Sequence, residues 1–481
     1  MPARPIPTVR PWRRWWRLAA WLALALGLTL AALWTLLRAL LAPADAQDWT
    51  VTLGRGPLAL PASVPQLAWL ATTPWIGERL HGLRLRTRLG PVTFGWIAAG
   101  EEGPQPVLTL HCEPCTLPLP AQALGLDAHT RHLALPAAQL ALSRDRVQHL
   151  RGTLLLGAHA LPTSAWHGPA ADAGPPVLIA HWQAERSGPG WQLQLHWPAA
   201  PVRHWLALLA PQLPELAVAR IDGHLALQAE LPLPARLGAA GAWRVAPQLH
   251  GLAVSGLGTQ RWLDAAQACA ADDPLPAAPT ASTALTPPFL SPHGWLARAV
   301  LAAEDQRFYQ HPGYDLAEIT AALSANRQRG AIWRGGSTLS QQLAKLMVTG
   351  GERTLARKLR ELLYAVEAEQ TLGKARILQL YLALAPWGED AQGRPLCGAE
   401  AAARHYFGTR AAALTPRQAV TLAAMLHNPR RAAATWAAQG SVNRARLNRI
   451  ARDVRGVPAR QRRALARALA QEHAALAGAH S

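Results

Sequence analysis

The chain has 481 residues, half of them hydrophobic, with 48 Lys+Arg against 29 Asp+Glu and only four cysteines. This length exceeds what one hydrophobic core organises, so a single small domain is excluded and two or three domains are expected. The net charge of +19 suits an anionic partner such as nucleic acid, phospholipid headgroups or a pyrophosphate, and by itself does not choose among them.

Residues 1–17 form a basic segment in which Arg10, Arg13, Arg14 and Arg17 alternate with Trp12, Trp15 and Trp16. The uncharged run from Leu18 to Leu37 is 20 residues long, enough to cross a hydrocarbon core, and the anchor is placed at 18–41. Arginines before it predict a cytoplasmic N-terminus, with everything after about residue 42 outside. The run is longer than the apolar part of a signal peptide and APADAQ is a poor cleavage site, so the anchor is expected to stay uncleaved.

Residues 48–268 read as β-rich: VLTLHC, RHLALPAAQLALS, WQLQLHW and GHLALQAEL alternate polar and apolar residues between Pro and Gly breaks. Segments such as HLRGTLLLG and RIDGHLALQAEL suggest repeated hairpins, a composition that loosely resembles AsmA-type envelope proteins. Cys112 and Cys115 in HCEPC read as a local disulfide, because one CxxC without a second is a poor zinc site; Cys269 and Cys397 stand alone. The region holds no chemical constellation and is the candidate contact for envelope or cell-wall synthesis proteins. Residues 269–292, including DDPLPAAPTASTALTPPFLSP, are a Pro-rich linker. Removing 48–268 is therefore expected to leave the activity of the next domain intact.

Helical spacing begins at 293, and residues 290–481 carry 27 Lys+Arg against 13 Asp+Glu, a net +14, so the anionic partner is expected here. Ser291-Pro292 predicts a helix start. Leu296, Val300, Glu304 and Phe308 then fall on one stripe, with Asp305 turned about 100° away. A carboxylate on an apolar stripe is either a misplaced surface group or a cleft group whose pKa burial raises toward that of a general base. In RGGSTLSQQLAKL, Thr338 and Gln341 have capping-box spacing at a helix N-terminus, a ready anion site, with Lys345 one turn on and Gln342 beside it. ERTLARKLRELLYAVEAE predicts a helix on which Arg353, Arg357 and Glu361 line up, in the order less favourable for surface pairs. That points to a cationic surface with one functional acid.

EDQRFYQHPG, GGSTLSQQLAK, RKLRE, ILQLYLALAPWG and GAEAAARHYFG, in this order, resemble glycosyltransferase family 51, the peptidoglycan polymerase module of class A penicillin-binding proteins and monofunctional transglycosylases. The resemblance implies a mainly α, lysozyme-like domain at 293–435, so that the chain is multidomain: transmembrane helix, β-rich extracytoplasmic region, helical glycosyltransferase domain. It implies Glu304 as the base that deprotonates the acceptor lipid II, Glu361 as a second acid near the leaving undecaprenyl pyrophosphate, and Lys345, Arg353, Arg357 and Lys358 as its cationic site. Ser337, Gln341 and Gln342 match cleft positions, while Asp305, Phe308, His311 and Gly313 hold the first motif in shape. No cofactor is required, although a divalent cation (Mg or Mn) is compatible with an acid beside a pyrophosphate. The implied partners are lipid II, the growing glycan chain and the membrane, not nucleic acid, and the implied place is the bacterial inner membrane with the catalytic domain in the periplasm.

The sequence departs from the family pattern at Ala383, where Asn is usual, at Leu346, and at Gln418, where an acid is frequent. Transpeptidase motifs need lysine, and the only three, Lys345, Lys358 and Lys374, have no serine three residues before them. Residues 436–481 read as a basic helical tail. Two alternatives stand beside polymerisation: a glycan-cleaving lytic transglycosylase, disfavoured because a neutral glycan needs no cationic row, and a non-catalytic scaffold, disfavoured by the intact Glu304 and Glu361.

Overall fold

The computed structural model describes residues 12–42, 49–54, 59–100, 105–118, 132–146, 149–157, 176–188, 190–233, 244–263, 290–329, 335–350, 354–390 and 392–478. Helix α1 (Trp12–Leu41) contains 23 residues, Ala19–Leu41, with mean hydropathy 2.0, long and apolar enough to cross a membrane. Its last residue, Leu41, is buried against Leu60 and Ala62. Those residues belong to a small hairpin of β1 (Thr50–Leu53) and β2 (Leu60–Ser63), followed by α2 (Val64–Ala71) and α3 (Pro74–Leu80). Both helices carry proline in their first turn, where its missing N–H leaves no helical bond unmade.

The β-rich region is a nine-stranded antiparallel sheet. Its strands are β3 (Arg84–Thr87), β4 (Gly90–Ile97), β5 (Val107–Cys112), β8 (Ala138–Arg146), β9 (His149–Leu156), β10 (Leu178–Ser187), β11 (Gly190–Pro201), β12 (Arg220–Leu233) and β13 (Arg244–Ser255), neighbours in that order. A side hairpin, β6 (Cys115–Pro118) with β7 (His132–Leu135), leaves the sheet after the Cys112–Cys115 disulfide. Alternation decides the faces: on β10, Leu178, Ala180 and Ala184 are buried while His181, Gln183 and Glu185 are exposed. Helix α4 (Val202–Leu209) lies on the apolar face, where Trp205 and Leu208 pack with Leu156 and Leu178. The indole N–H of Trp205 donates to the Leu225 carbonyl at 3.1 Å. A four-residue helix, α5 (Glu215–Val218), precedes β12.

The C-terminal half is helical, with α6 (Trp295–Glu304), α7 (Leu316–Arg329), α8 (Leu339–Ala344), α9 (Leu355–Thr371) and α10 (Gly373–Leu384) before a hairpin of β14 (Pro386–Glu389) and β15 (Pro395–Cys397). Helices α11 (Gly398–Phe407), α12 (Pro416–Met425), α13 (Pro429–Gln439), α14 (Arg444–Asp453) and α15 (Ala459–Gly478) follow. Val300, Leu343, Leu378, Trp387 and Leu422 form the centre of one core. Cys397 is disulfide-bonded, and Cys269 lies outside the described residues.

Three boundaries differ from the sequence reading. Helix α6 begins at Trp295 rather than at Ser291-Pro292, because the Ser291 hydroxyl accepts from the His293 N–H at 3.2 Å and closes a turn before the helix. The supposed tail is domain core: α13 runs through residue 436, and Ile450, Val454, Leu465 and Leu469 are buried with Val300 and Leu422. Its apolar residues are spaced to face one side, and high arginine content on the other side masked them. The β-rich region is also not a separate body. Trp262 is buried in the helical core, and Ile221, Leu252 and Val254 of the sheet pack against Leu363 and Val366 of α9. Linker composition shows where a chain is extended, not whether the bodies it joins bury surface against each other.

Candidate active site

Glu304 is the last residue of α6, where Val300 one turn and Leu296 two turns earlier are anchored in the core and leave its carboxylate at the wall of the domain. Phe308 does not continue that helix; Asp305 breaks it, and Phe308 is buried in a short 3-10 turn of its own. Gln342 on α8 donates its amide to Glu304 Oε2 at 3.3 Å, and the Tyr381 hydroxyl on α10 donates to Gln342 Oε1 at 2.9 Å, which fixes the amide orientation. From the other side Arg446 on α14 donates to Glu304 Oε1 at 2.6 Å, and to the carbonyls of Ala303 and Ala424. Both side chains of the pair are little exposed, 12% for Glu304 and 13% for Arg446.

Burial raises the pKa of Glu304 above the usual carboxylate value, against the opposing pull of the Arg446 charge and the Gln342 hydrogen bond. The same burial lowers the pKa of Arg446, while the Glu304 charge raises it. Desolvation thus outweighs the attraction between the two charges. The result is a carboxylate held in one orientation and made more basic, which are the two properties a general base needs.

Asp305 does different work. Its carboxylate accepts from the Leu339 N–H at 2.9 Å and lies 3.0 Å from His311 Nε2, tying the first motif to the start of α8. Thr338 and Gln341 form the expected capping box there, and Thr338 also donates to the Gly313 carbonyl at 2.7 Å. Gly313 has φ +91, and a Cβ would come within 2.9 Å of the Ala365 carbonyl, so this position takes only glycine. Gln341 is therefore buried in the cap and is not a cleft residue, a correction that follows from its side chain closing back on the Thr338 N–H.

Glu361 on α9 is almost fully buried, with Arg357 donating to Oε1 and Lys358 to Oε2, the latter at 2.8 Å. Lys358 also reaches the Ser337 hydroxyl at 2.8 Å. Arg357 is buried as well, so it pairs with Glu361 inside the protein rather than standing on a cationic surface, whatever order suits a solvated helix. Lys345 stands exposed where α8 passes into a π-helical turn, Lys345–Thr349. Arg353 lies outside the described residues. The six residues 337–342 join the two carboxylates, since Ser337 bonds the Lys358 side and Gln342 bonds Glu304.

Sequence reasoning missed Tyr381 and Arg446. Tyr381 was visible as the one hydroxyl within ILQLYLALAPWG, whereas Arg446 looked like any other arginine of a basic tail. The third lysine, Lys374, is structural: it donates to the His311 carbonyl at 2.6 Å and to Glu369 at 2.7 Å, over the Phe308 ring. A separate pocket lined by Arg298, Asp305, Tyr309, Asp453 and Arg455 contains neither Glu304 nor Glu361. Among the described residues no group of three or more His, Cys, Asp or Glu gathers as a metal site.

Residues 286–454 match the family model described as Transglycosylase, a span that contains Glu304, Gln342, Glu361, Tyr381 and Arg446 together. This segment is a transglycosylase domain. Proteins named biosynthetic peptidoglycan transglycosylase are similar to it: one from Nitrosomonas eutropha is 47% identical over 135 residues and one from Alcanivorax borkumensis 50% over 135 residues, each match covering 28% of this chain and 53% of the relative. A third, from Methylobacillus flagellatus, is 43% identical over 152 residues, 32% of this chain and 64% of the relative. The chain thus spans little more than half the length of the curated relatives it matches. The transglycosylase domain reaches past residue 435 to include α14, in keeping with the burial of Ile450 and the Arg446–Glu304 pair.

The departures from the family pattern are accommodated locally. Gln418 completes a second capping box with Thr415, a role that Gln and Glu fill alike. Leu346 packs on the domain core, and Ala383 is exposed.

Proposed function

We propose that the transglycosylase domain polymerises glycan strands from lipid II. Glu304 takes the proton from the 4-hydroxyl of the acceptor's GlcNAc as that oxygen bonds the anomeric carbon of the donor chain. The bond from that carbon to the pyrophosphate breaks with inversion, and undecaprenyl pyrophosphate leaves with the electron pair. Lys358 and Arg357 balance its charge, and Glu361 acts by holding these two cations in place rather than by donating a proton. Each Glu361 oxygen accepts from one of these cations, Oε1 from Arg357 and Oε2 from Lys358, which is the arrangement that holding them requires.

The observation that carries the reading is the buried, raised-pKa Glu304 held between Gln342 and Arg446, in a domain whose relatives are named for this chemistry. The reading places α1 across the bacterial inner membrane with its N-terminus in the cytoplasm, and a lysozyme-like catalytic domain on the outer side. Purified full chain given lipid II in detergent is expected to make glycan polymer, and Glu304→Gln to make none. A wild-type protein that binds lipid II yet forms no polymer would overturn the polymerase reading and favour the scaffold alternative.

A further inference from the structure

Helix α9 has two working faces. Arg357, Lys358 and Glu361 face the site, while Leu359 and Leu363, each about 200° around the helix from Glu361, face away from it. That second face is covered by the sheet region: Leu359, Leu363 and Val366 share a buried cluster with Leu206, Ile221 and Val254.

Polar contacts fasten the same face at three levels along the helix. Arg360 donates to the carboxylate of Glu215 at 2.6 Å, and the Glu215 side chain is only 2% exposed. The buried Glu367 carboxylate accepts three successive backbone N–H groups, from Gly256 at 3.1 Å, Leu257 at 3.1 Å and Gly258 at 3.3 Å. Gly256 and Gly258 have φ +97 and +78, the left-handed conformations that let consecutive N–H groups converge on one anion. Thr259 and Thr371 share a hydrogen bond of 2.8 Å at the end of the helix. Between the levels Trp262 stacks on Tyr364.

We propose that the nine-stranded sheet is part of the catalytic unit: it fixes α9 from behind, and Glu215, Arg360 and Glu367 are positioning residues for the Arg357–Lys358–Glu361 cluster. Close-packed interiors transmit displacement rather than absorb it. A shift of about 1 Å in a reacting group costs about 100-fold in rate, so a helix whose one face holds the cationic cluster needs its other face held. This inference rests on the transglycosylase reading for its kinetic arm only.

Two measurements test it. A protease site is placed within residues 275–285 of the full chain, in a Cys397→Ser background so that no disulfide of Cys397 joins the fragments, and the cut protein is passed over a sizing column in detergent. The fragments are expected to stay together and keep polymerising; separation into two folded fragments overturns the proposal. In the uncut chain Glu367→Gln and Arg360→Gln are expected to lower kcat with lipid II about tenfold while KM changes less than threefold. Amide exchange should rise across 355–371, and Arg360→Lys should recover most of the rate. Unchanged kcat in both Gln variants overturns the positioning role even if the fragments stay together. Should a variant fail to fold, the cleavage result decides, and it does so equally if wild type makes no polymer, which would count against the transglycosylase reading alone.

Discussion

The two ends of the site solve different electrostatic problems with the same side chain. Glu304 meets one arginine and one amide, and burial still wins, leaving its pKa raised. Glu361 is buried more deeply and has a cation on each oxygen, so its charge is spent in holding Arg357 and Lys358. In the proposed mechanism, the number of partners separates a base, which must gain a proton, from a counter-ion, which must keep its neighbours in place.

The largest effects should come from neutralising each acid in turn. Glu304→Gln is expected to lower polymerisation by about 100- to 10,000-fold. Its melting temperature at neutral pH should hold or rise, since a carboxylate with a raised folded pKa costs stability once ionised, above its unfolded value. Glu361→Gln should cost about 100-fold in kcat and, unlike the first, melt earlier, because it strands the buried Arg357 charge at about 3 kcal/mol. Equal melting curves for the two variants would erase the distinction between base and counter-ion.

A smaller effect tests Arg446. The base works ionised, so the acid limb of kcat/KM should lie above the ordinary carboxylate range, with activity falling as pH drops through it. Arg446→Met removes a charge that lowers this pKa, and the limb should move to higher pH, with the rate recovering at alkaline pH. A limb that stays in place would separate Arg446 from the base. The smallest effect belongs to Tyr381→Phe, which frees the Gln342 amide for about 1 kcal/mol, or a factor of about five in kcat, with little change in the pH profile.

Much of the fold was legible. Alternation in WQLQLHW and GHLALQAEL marks β11 and β12, and Thr338 with Gln341 gives the start of α8, because both signals are local. Helical phase separated Glu304 from Asp305, and the structure places the first in the site wall and the second beneath α8. The misreadings share a cause. Local sequence points Gln341 to the cleft, 436–481 to a tail and 48–268 to a separate body, whereas the true place of each depends on what lies across space from those residues.

By itself the sequence determined the apolar N-terminal helix, strands such as β11 and β12, the capping box of α8 and the order of the motifs, since the elements depend on residues within a turn or two of one another. Only the tertiary structure decided that Arg446, 142 positions from Glu304, faces it, and that Glu367 closes on residues 256–258 more than a hundred positions earlier. Such pairs leave no periodicity in the chain. They are set by which apolar faces bury together, and the polar partners are then carried into reach.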